Sequence, residues 1–350
     1  MKRKLKVAAI QMDCAPVRVT ERLSRLAPLI AEAAQADAQL VVLPELFNTG
    51  YEFHARNYAL AEPLDGETIT WMKMQAAQHD IHLVGTLLLL DKTDIYNTAS
   101  LVAPDGRLWR YDKYYVPLWE RAYFRGGHQT IVADTDLGRL GMMICWDQMH
   151  PDLWAHYAGN VDAIVIMSCP GDWDTANLIF PDGFRAKFMD LVNPSSVDSD
   201  DAGPESHPAG ADAKDVHQQA AWMGVPVIAA AATGIIRTKL PLLEWFLERS
   251  PCADRTSQAA ETLFECGFAP ATQVFNAEGQ LLAQGTETGD GVVLAEIELP
   301  DIIPQPQTPQ PKIDMPQEVY HVSDEIIPSL MLPLYKEGVR RQWGAHMAPD

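Results

Sequence analysis

The sequence predicts an α/β protein, one large domain carrying insertions, whose strand-helix-strand units pair their strands in parallel. Three observations carry that prediction. Apolar runs of strand length alternate with stretches of helical period, first as strand, helix, strand over residues 4–43 and again beyond residue 151, and such units pair their strands in parallel. Turn signals at Pro104-Asp105-Gly106, Gly138 and Glu278-Gly279 insert hairpins between the units. Across 350 residues no linker with a clean shift in composition marks a second core, so one domain with insertions accounts for the length.

The opening strand, residues 4–11, leads into a helix whose Leu23, Leu26, Ile30 and Ala33 share one face. Pro28 lies inside that pattern and is expected to bend the helix or delay its start, because it lacks the N–H that helix hydrogen bonding uses. Gln39–Leu43 is a short apolar strand ending in Pro44-Glu45, followed by a loop over Phe47–Phe53. Residues 66–79 read as a helix and Ile81–Leu90 as a buried strand. Tyr96–Ala103 and Arg107–Lys113 pair across the Pro-Asp-Gly turn, and Val132–Thr135 and Arg139–Ile144 pair across Gly138, ending on Cys145. Pro151–Gly159 then opens a helix on a proline, and Val161–Met167 is a buried strand.

Residues 193–211, with Asn193-Pro194-Ser195-Ser196 and the acids Asp198, Asp200 and Asp201, lack hydrophobic period and are expected to form a solvated insertion. A calcium loop starting at Asp198 needs a glutamate where Ala209 stands, which excludes it. Ala213–Met223 reads as a helix and Val225–Ala231 as a strand. Residues 235–266 are mixed, with the apolar stretch Leu240–Leu247, and read as a second insertion. Thr272–Phe275 and Gln280–Ala283 form a hairpin, and Gly291–Glu298 closes the sheet. The main domain thus covers residues 1–298, and an extension covers 299–350, proline-rich from Pro300 to Pro316 and then amphipathic with Ile326, Leu330 and Leu334. The extension is expected to bury little against its own domain and to wrap a partner subunit.

Composition narrows the function classes. Hydrophobic residues make up 47% and charged residues 21%, as in ordinary globular proteins. Forty-seven acidic against 27 basic residues give a net charge of −20, which argues against nucleic acid and anionic membranes as partners. Met1-Lys2-Arg3-Lys4 runs straight into the first strand without a signal-peptide core, and no run approaches the ~18 apolar residues of a membrane span. The five cysteines, at 14, 145, 169, 252 and 266, are odd in number and form no CxxC pair. A cytoplasmic protein with reduced thiols is the expectation. The ten histidines show no metal-ligand spacing.

The chemistry centres on Gly141–Asp152. An apolar strand delivers Cys145, a polar turn follows at once, and Pro151-Asp152 opens a helix. A thiol on such a turn is held rigidly by the sheet below, with turn N–H groups aimed at whatever the sulfur attacks. An inert core thiol is the alternative, since free cysteine is often buried. Glu45 and Lys113 stand at two other strand ends. Alone, the first is a cap or a solvated acid and the second a surface charge. At the carboxyl ends of strands in one sheet, the three have a route to a common site.

With these residues in view, the sequence resembles the nitrilase superfamily of carbon–nitrogen hydrolases. The resemblance runs over residues 4–298 and rests on Val41-Val42-Leu43-Pro44-Glu45, then Lys113, Pro117, Glu120, Phe124 and Gly127, then Ile144-Cys145-Trp146-Asp147 and Pro151-Asp152, in that order. It implies a four-layer αββα sandwich whose subunits pair into a longer sandwich, a homodimer or larger homo-oligomer. It implies Cys145 as nucleophile and Glu45 as the base that takes the thiol proton, returns it to departing ammonia or amine, and then activates water. Lys113 and the Trp146 backbone N–H would stabilise the oxyanion. Glu120 would hold Lys113 and substrate in place, a simple ion pair being the alternative. No metal or organic cofactor is required.

Cys145-Trp146-Asp147-Gln148 is most similar to the branch that cleaves N-carbamoyl amines, but Met149-His150 and Asp152 stand where that branch carries Trp-Phe and Glu. The expected activity is therefore hydrolysis of a small linear amide or N-carbamoyl amine through a Cys145 thioester. A nitrilase is the runner-up, and an acyl-transferring or non-catalytic relative is the reading of another class. Tyr51, Trp146 and Trp173 are candidate pocket walls. His150 is placed either to cap the helix or to touch substrate.

Overall fold

The computed structural model of the protein describes residues 3–192, 211–286 and 288–344. Its strands are β1 (Arg3–Asp13), β2 (Leu40–Val42), β3 (His82–Asp91), β4 (Asp94–Val102), β5 (Leu108–Asp112), β6 (Val132–Thr135), β7 (Gly138–Ile144), β8 (Ala163–Ser168), β9 (Gly171–Ile179), β10 (Arg185–Lys187), β11 (Val227–Thr233), β12 (Ile235–Thr238), β13 (Leu263–Phe268), β14 (Gln273–Phe275), β15 (Leu281–Gln284) and β16 (Gly291–Leu299). Its helices are α1 (Val19–Gln35), α2 (Arg56–Leu60), α3 (Glu67–His79), α4 (Pro151–Tyr157), α5 (Phe188–Val192), α6 (Ala211–Met223), α7 (Leu243–Leu247), α8 (Gln317–Tyr320) and α9 (Ile327–Trp343).

Among the described residues, β16, β1, β2, β3, β4 and β5 lie side by side in one layer. A second layer runs β15, β14, β11, β8, β7 and β6. The layers join where Met12 and Asp13 of β1 pair with Ala232 and Thr233 of β11. Side-chain alternation along β1 decides what each layer covers. Leu5, Val7 and Ala9 fill the space between the sheets with Val42, Leu101, Met142, Val165 and Ile228. Ala8, Ile10 and Met12 point the other way, onto Leu23, Leu26 and Ile30 of α1 and Ile69 and Met72 of α3. Beyond the second sheet, Met143, Ile164 and Ile166 pack on Trp154 and Tyr157 of α4 and Val216 and Ala220 of α6. The outcome is helix, sheet, sheet, helix: the αββα sandwich.

Four expectations need correction or a limit. α1 starts at Val19 and runs through Pro28, so its start is not delayed. A proline inside a helix costs about 3 kcal/mol, and burying Leu23, Leu26 and Ile30, each 5% exposed or less, offsets it at about 1.5–3 kcal/mol per side chain. Residues 235–266, read as a mixed second insertion, have regular structure: β12 and β13 join β9 and β10 in a separate sheet of order β10-β9-β13-β12, with α7 packed beside it. Its strands come from two distant stretches, so local pattern did not reveal the pairing. The insertion expected at 193–211, with its acidic cluster, lies outside the described residues except for Ala211, the first residue of α6.

The extension is the largest correction. It buries Ile327, Met331, Tyr335 and Val339 against its own chain, with Trp119, Ala122, Tyr58 and Ile95 in the same apolar cluster. The Tyr335 hydroxyl donates to Asp94 Oδ1 at 2.9 Å and accepts the Ile95 N–H at 2.9 Å. Ile326, by contrast, is 38% exposed. The buried face therefore lies one residue round from Ile326, Leu330 and Leu334, and it docks in cis. Upstream, the strap passes over α6, where the Gln219 side chain donates to the Pro311 carbonyl at 3.0 Å. Among the described residues no helix is long and apolar enough to cross a membrane.

Candidate active site

Four strand ends meet at one rim of the sandwich. β2 and β5 of the first sheet lead to Glu45 and Lys113, and β7 and β8 of the second lead to Cys145 and Cys169. Lys113 Nζ lies 2.9 Å from Glu45 Oε1 and 2.7 Å from Glu120 Oε2, and all three side chains are buried. Asn97, near the start of β4, donates its side-chain amide to Glu45 Oε1 at 2.7 Å. The Cys169 N–H takes the other oxygen, Oε2, at 2.9 Å. Glu120 sits in a 3₁₀ turn, Leu118–Ala122, and its Oε1 accepts the Tyr51 hydroxyl.

Cys145 opens a second 3₁₀ turn, Cys145–Met149, directly on the end of β7. Its φ is +48°, in the left-handed region that non-glycine residues seldom adopt. Leu46, next to Glu45, and Leu118, two residues before Glu120, are left-handed as well, at +47° and +49°. Conformations of this kind cost on the order of 1–3 kcal/mol each and persist where the surroundings enforce them, commonly at functional sites.

The electrostatics are those of two carboxylates around one ammonium in a dry place. Burial works against the charge on Lys113, yet Glu120 and Glu45 outweigh it and hold the ammonium well above the ordinary lysine range. Burial, aided by Glu45, pushes Glu120 up to about 7 against the pull of Lys113. Burial pushes the Cys145 thiol well above its usual value; Glu45 adds to the rise and Lys113 opposes it. The sulfur is therefore held toward its protonated form, and an attack by it would need a base within reach.

A family model described as carbon-nitrogen hydrolase matches residues 6–189, which is 184 of the 350 residues. The chain belongs to the carbon-nitrogen hydrolase family. A nitrilase from Pyrococcus abyssi is 34% identical over 152 residues, 42% of this chain and 58% of that protein. An omega-amidase from Xenopus laevis is 31% identical over 167 residues, 44% of this chain and 59% of that one. The chain thus spans less than two thirds of the length of either relative. Among solved structures, Nit3 of Saccharomyces cerevisiae, a member of branch 10 of the nitrilase superfamily, matches with a TM-score of 0.60 at 22% identity, over 86% of this chain and 92% of its own.

In this member of the family the sequence-derived residues divide into two groups. Glu45, Lys113, Glu120 and Tyr51 are linked by hydrogen bonds, and the charges of Glu45 and Lys113 act on Cys145. Tyr51 also packs edge-on against Phe53 and Phe268, with ring centroids 5.7 and 5.8 Å away. Trp146 and Trp173 lie elsewhere. The Trp146 indole turns to the C-terminal extension, where its N–H donates to Asp324 Oδ1 at 2.7 Å. Trp173, on β9, is 36% exposed and packs on Phe188 and Phe264. His150 neither caps α4 through its side chain nor meets the charged cluster; its ring stacks on Tyr115 with centroids 3.4 Å apart.

Asp147 was not among the expected site residues, and it ties the two halves of the site together. It is fully buried, and burial pushes its carboxyl up to about 6. Oδ1 accepts the Tyr115 N–H at 2.8 Å; Oδ2 accepts the Tyr111 hydroxyl at 2.7 Å and the Ile144 N–H at 3.0 Å. One carboxylate thus fixes the segment on either side of Lys113 against the turn that carries Cys145. The available signal was an acid two residues after Cys145, at the end of an apolar strand. For Asn97 and Cys169 the signals were fainter: an amide within an apolar strand, and a residue just past a strand end.

Proposed function

We propose that this carbon-nitrogen hydrolase acts on a small linear amide or N-carbamoyl amine through a thioester on Cys145. The observation that carries the reading is the bridge of Lys113 between Glu45 at 2.9 Å and Glu120 at 2.7 Å, buried, with its charge acting on Cys145. Glu45 takes the thiol proton as Cys145 Sγ bonds to the carbonyl carbon. The negative oxygen that forms is stabilised by the Lys113 ammonium and the Trp146 N–H; loss of one such donor typically costs about 100-fold or more. The C–N bond breaks, Glu45 passes its proton to the departing nitrogen, and a thioester remains. Water, deprotonated by Glu45, attacks that carbonyl, the C–S bond breaks, and the acid leaves with the thiol restored. Every step uses this chain's own residues. Glu120 and Tyr51 keep Lys113 in place rather than share its chemistry.

A nitrilase reading is favoured by the 34% identity to the Pyrococcus abyssi nitrilase, and ammonia release separates the two. On the proposal, amides or carbamoyl compounds are turned over; release from nitriles alone overturns it. Cys145→Ala is expected to keep the fold and lose turnover, and normal activity in that variant refutes the mechanism. A thioester that partitions to added amines in preference to water would make the chain an acyl transferase. Pairing with a second copy and a cytoplasmic location belong to the same proposal; the mass in solution reads the first and cell fractionation the second.

A further inference from the structure

We propose that the C-terminal extension completes the active site, with Asp324 as a positioning residue for the peptide that follows the nucleophile. The inference rests on the reading of Cys145 as nucleophile and of the Trp146 N–H as oxyanion donor. Asp324 lies in a π-helical turn, His321–Ile326, between α8 and α9. Such turns are rare and are frequently found at functional sites. Asp324 Oδ1 accepts the Trp146 indole N–H at 2.7 Å, and Oδ2 lies 3.0 Å from His150 Nε2. His150 Nδ1 in turn lies 3.0 Å from the Trp146 carbonyl oxygen. Both ring nitrogens thus lie within hydrogen-bond distance of an oxygen.

Asp324, His150 and Trp146 therefore form a closed ring that holds the residue after Cys145 by its indole and by its carbonyl. The Tyr320 hydroxyl adds a fourth tie by donating to the Met149 carbonyl. Asp324 is not what keeps the extension docked. Met331, Tyr335 and Val339, each 1% exposed or less, anchor α9 independently. Loss of the carboxylate should leave the helix in place and free Trp146, which carries the donor N–H, to shift. A donor that must meet an oxygen formed during attack tolerates little such motion; a displacement of about 1 Å costs on the order of 100-fold.

The test compares Asp324→Ala with Glu325→Ala, which removes the neighbouring exposed acid paired with His321. For Asp324→Ala, kcat is expected to fall about 10- to 100-fold while KM stays within about 2-fold, because the lost contact serves the transition state. Glu325→Ala keeps wild-type kinetics. Trp146→Phe, which deletes only the indole donor, should cost no more in combination with Asp324→Ala than the worse single change, since both cut one link. Should Asp324→Ala fail to fold, Asp324→Asn, which keeps the acceptor for the indole and loses the charge facing His150, takes its place with a smaller expected loss of kcat. Wild-type kcat in the folded Asp324 variant, or an equal loss in Glu325→Ala, overturns the proposal. Cys145→Ala, measured alongside, separates the two readings: turnover there removes the nucleophile assignment itself, whereas a silent Cys145→Ala beside a fully active Asp324→Ala removes only the role of the extension.

Discussion

The backbone N–H of Cys169 donates to Glu45 Oε2 at 2.9 Å, so the end of a strand in one sheet holds the carboxylate presented by the other. Asn97 and Lys113 occupy Oε1. The oxygens are oriented by three donors, and the proposed proton transfer depends on that orientation. Glu45→Gln replaces one acceptor with an NH₂ group facing donors and removes the base. Acylation and thioester hydrolysis are both expected to slow by about 100-fold or more. Intact-mass detection of the acyl adduct checks this, and an adduct that forms at the wild-type rate excludes Glu45 as the first base.

Glu120 gives the site a pH signature. Burial raises its carboxyl from the ordinary 4.5 to about 7. Between those values the folded chain retains a proton that the unfolded chain has released, so this group's contribution to stability falls as pH rises through the window and is level above it. Glu120→Gln removes the titration. Its urea midpoint should fall less than that of the wild type between pH 4.5 and 7, and parallel curves would show that Glu120 does not hold that proton.

Asp147 satisfies three buried donors with two oxygens. Asp147→Asn keeps one acceptor and turns an NH₂ group toward N–H and O–H groups. A buried donor left unpaired costs about 1–3 kcal/mol. A loss of that order in urea unfolding is expected, together with lower kcat, because the Cys145 turn is no longer fixed to Tyr115. Unchanged stability would show that the neighbouring backbone finds other acceptors.

Gly338 of α9 faces Tyr58 so closely that an added Cβ would stand 2.0 Å from the ring. Gly338→Ala must push the helix or the ring aside, at a cost typical of overpacking, about 1–3 kcal/mol. Because α9 docks on its own chain, thermal unfolding should register the loss at any protein concentration. If the change appears only as a shift in oligomer mass, the cis docking of the extension is wrong.

Much of the fold and the core of the site are legible in the residues themselves. The period of Leu23, Leu26 and Ile30 defines a helix, the apolar runs ending at Glu45 and Cys145 define strands that lead to a carboxylate and a thiol, and Pro104-Asp105-Gly106 defines a hairpin. Each is a local signal, carried by side chains a few positions apart. What folding alone decides is which distant segments share a surface. β9 and β13 lie about as far apart in sequence as a small domain is long, so neither reveals its partner. Asp147 is one acid among many until Tyr111, Tyr115 and Ile144 close on it. The extension carries two possible faces; docking on Tyr58 and Trp119 selects the one through Met331 and Tyr335 and brings Asp324 onto Trp146. Periodicity fixes what a segment can bury, and only the packed chain fixes against what.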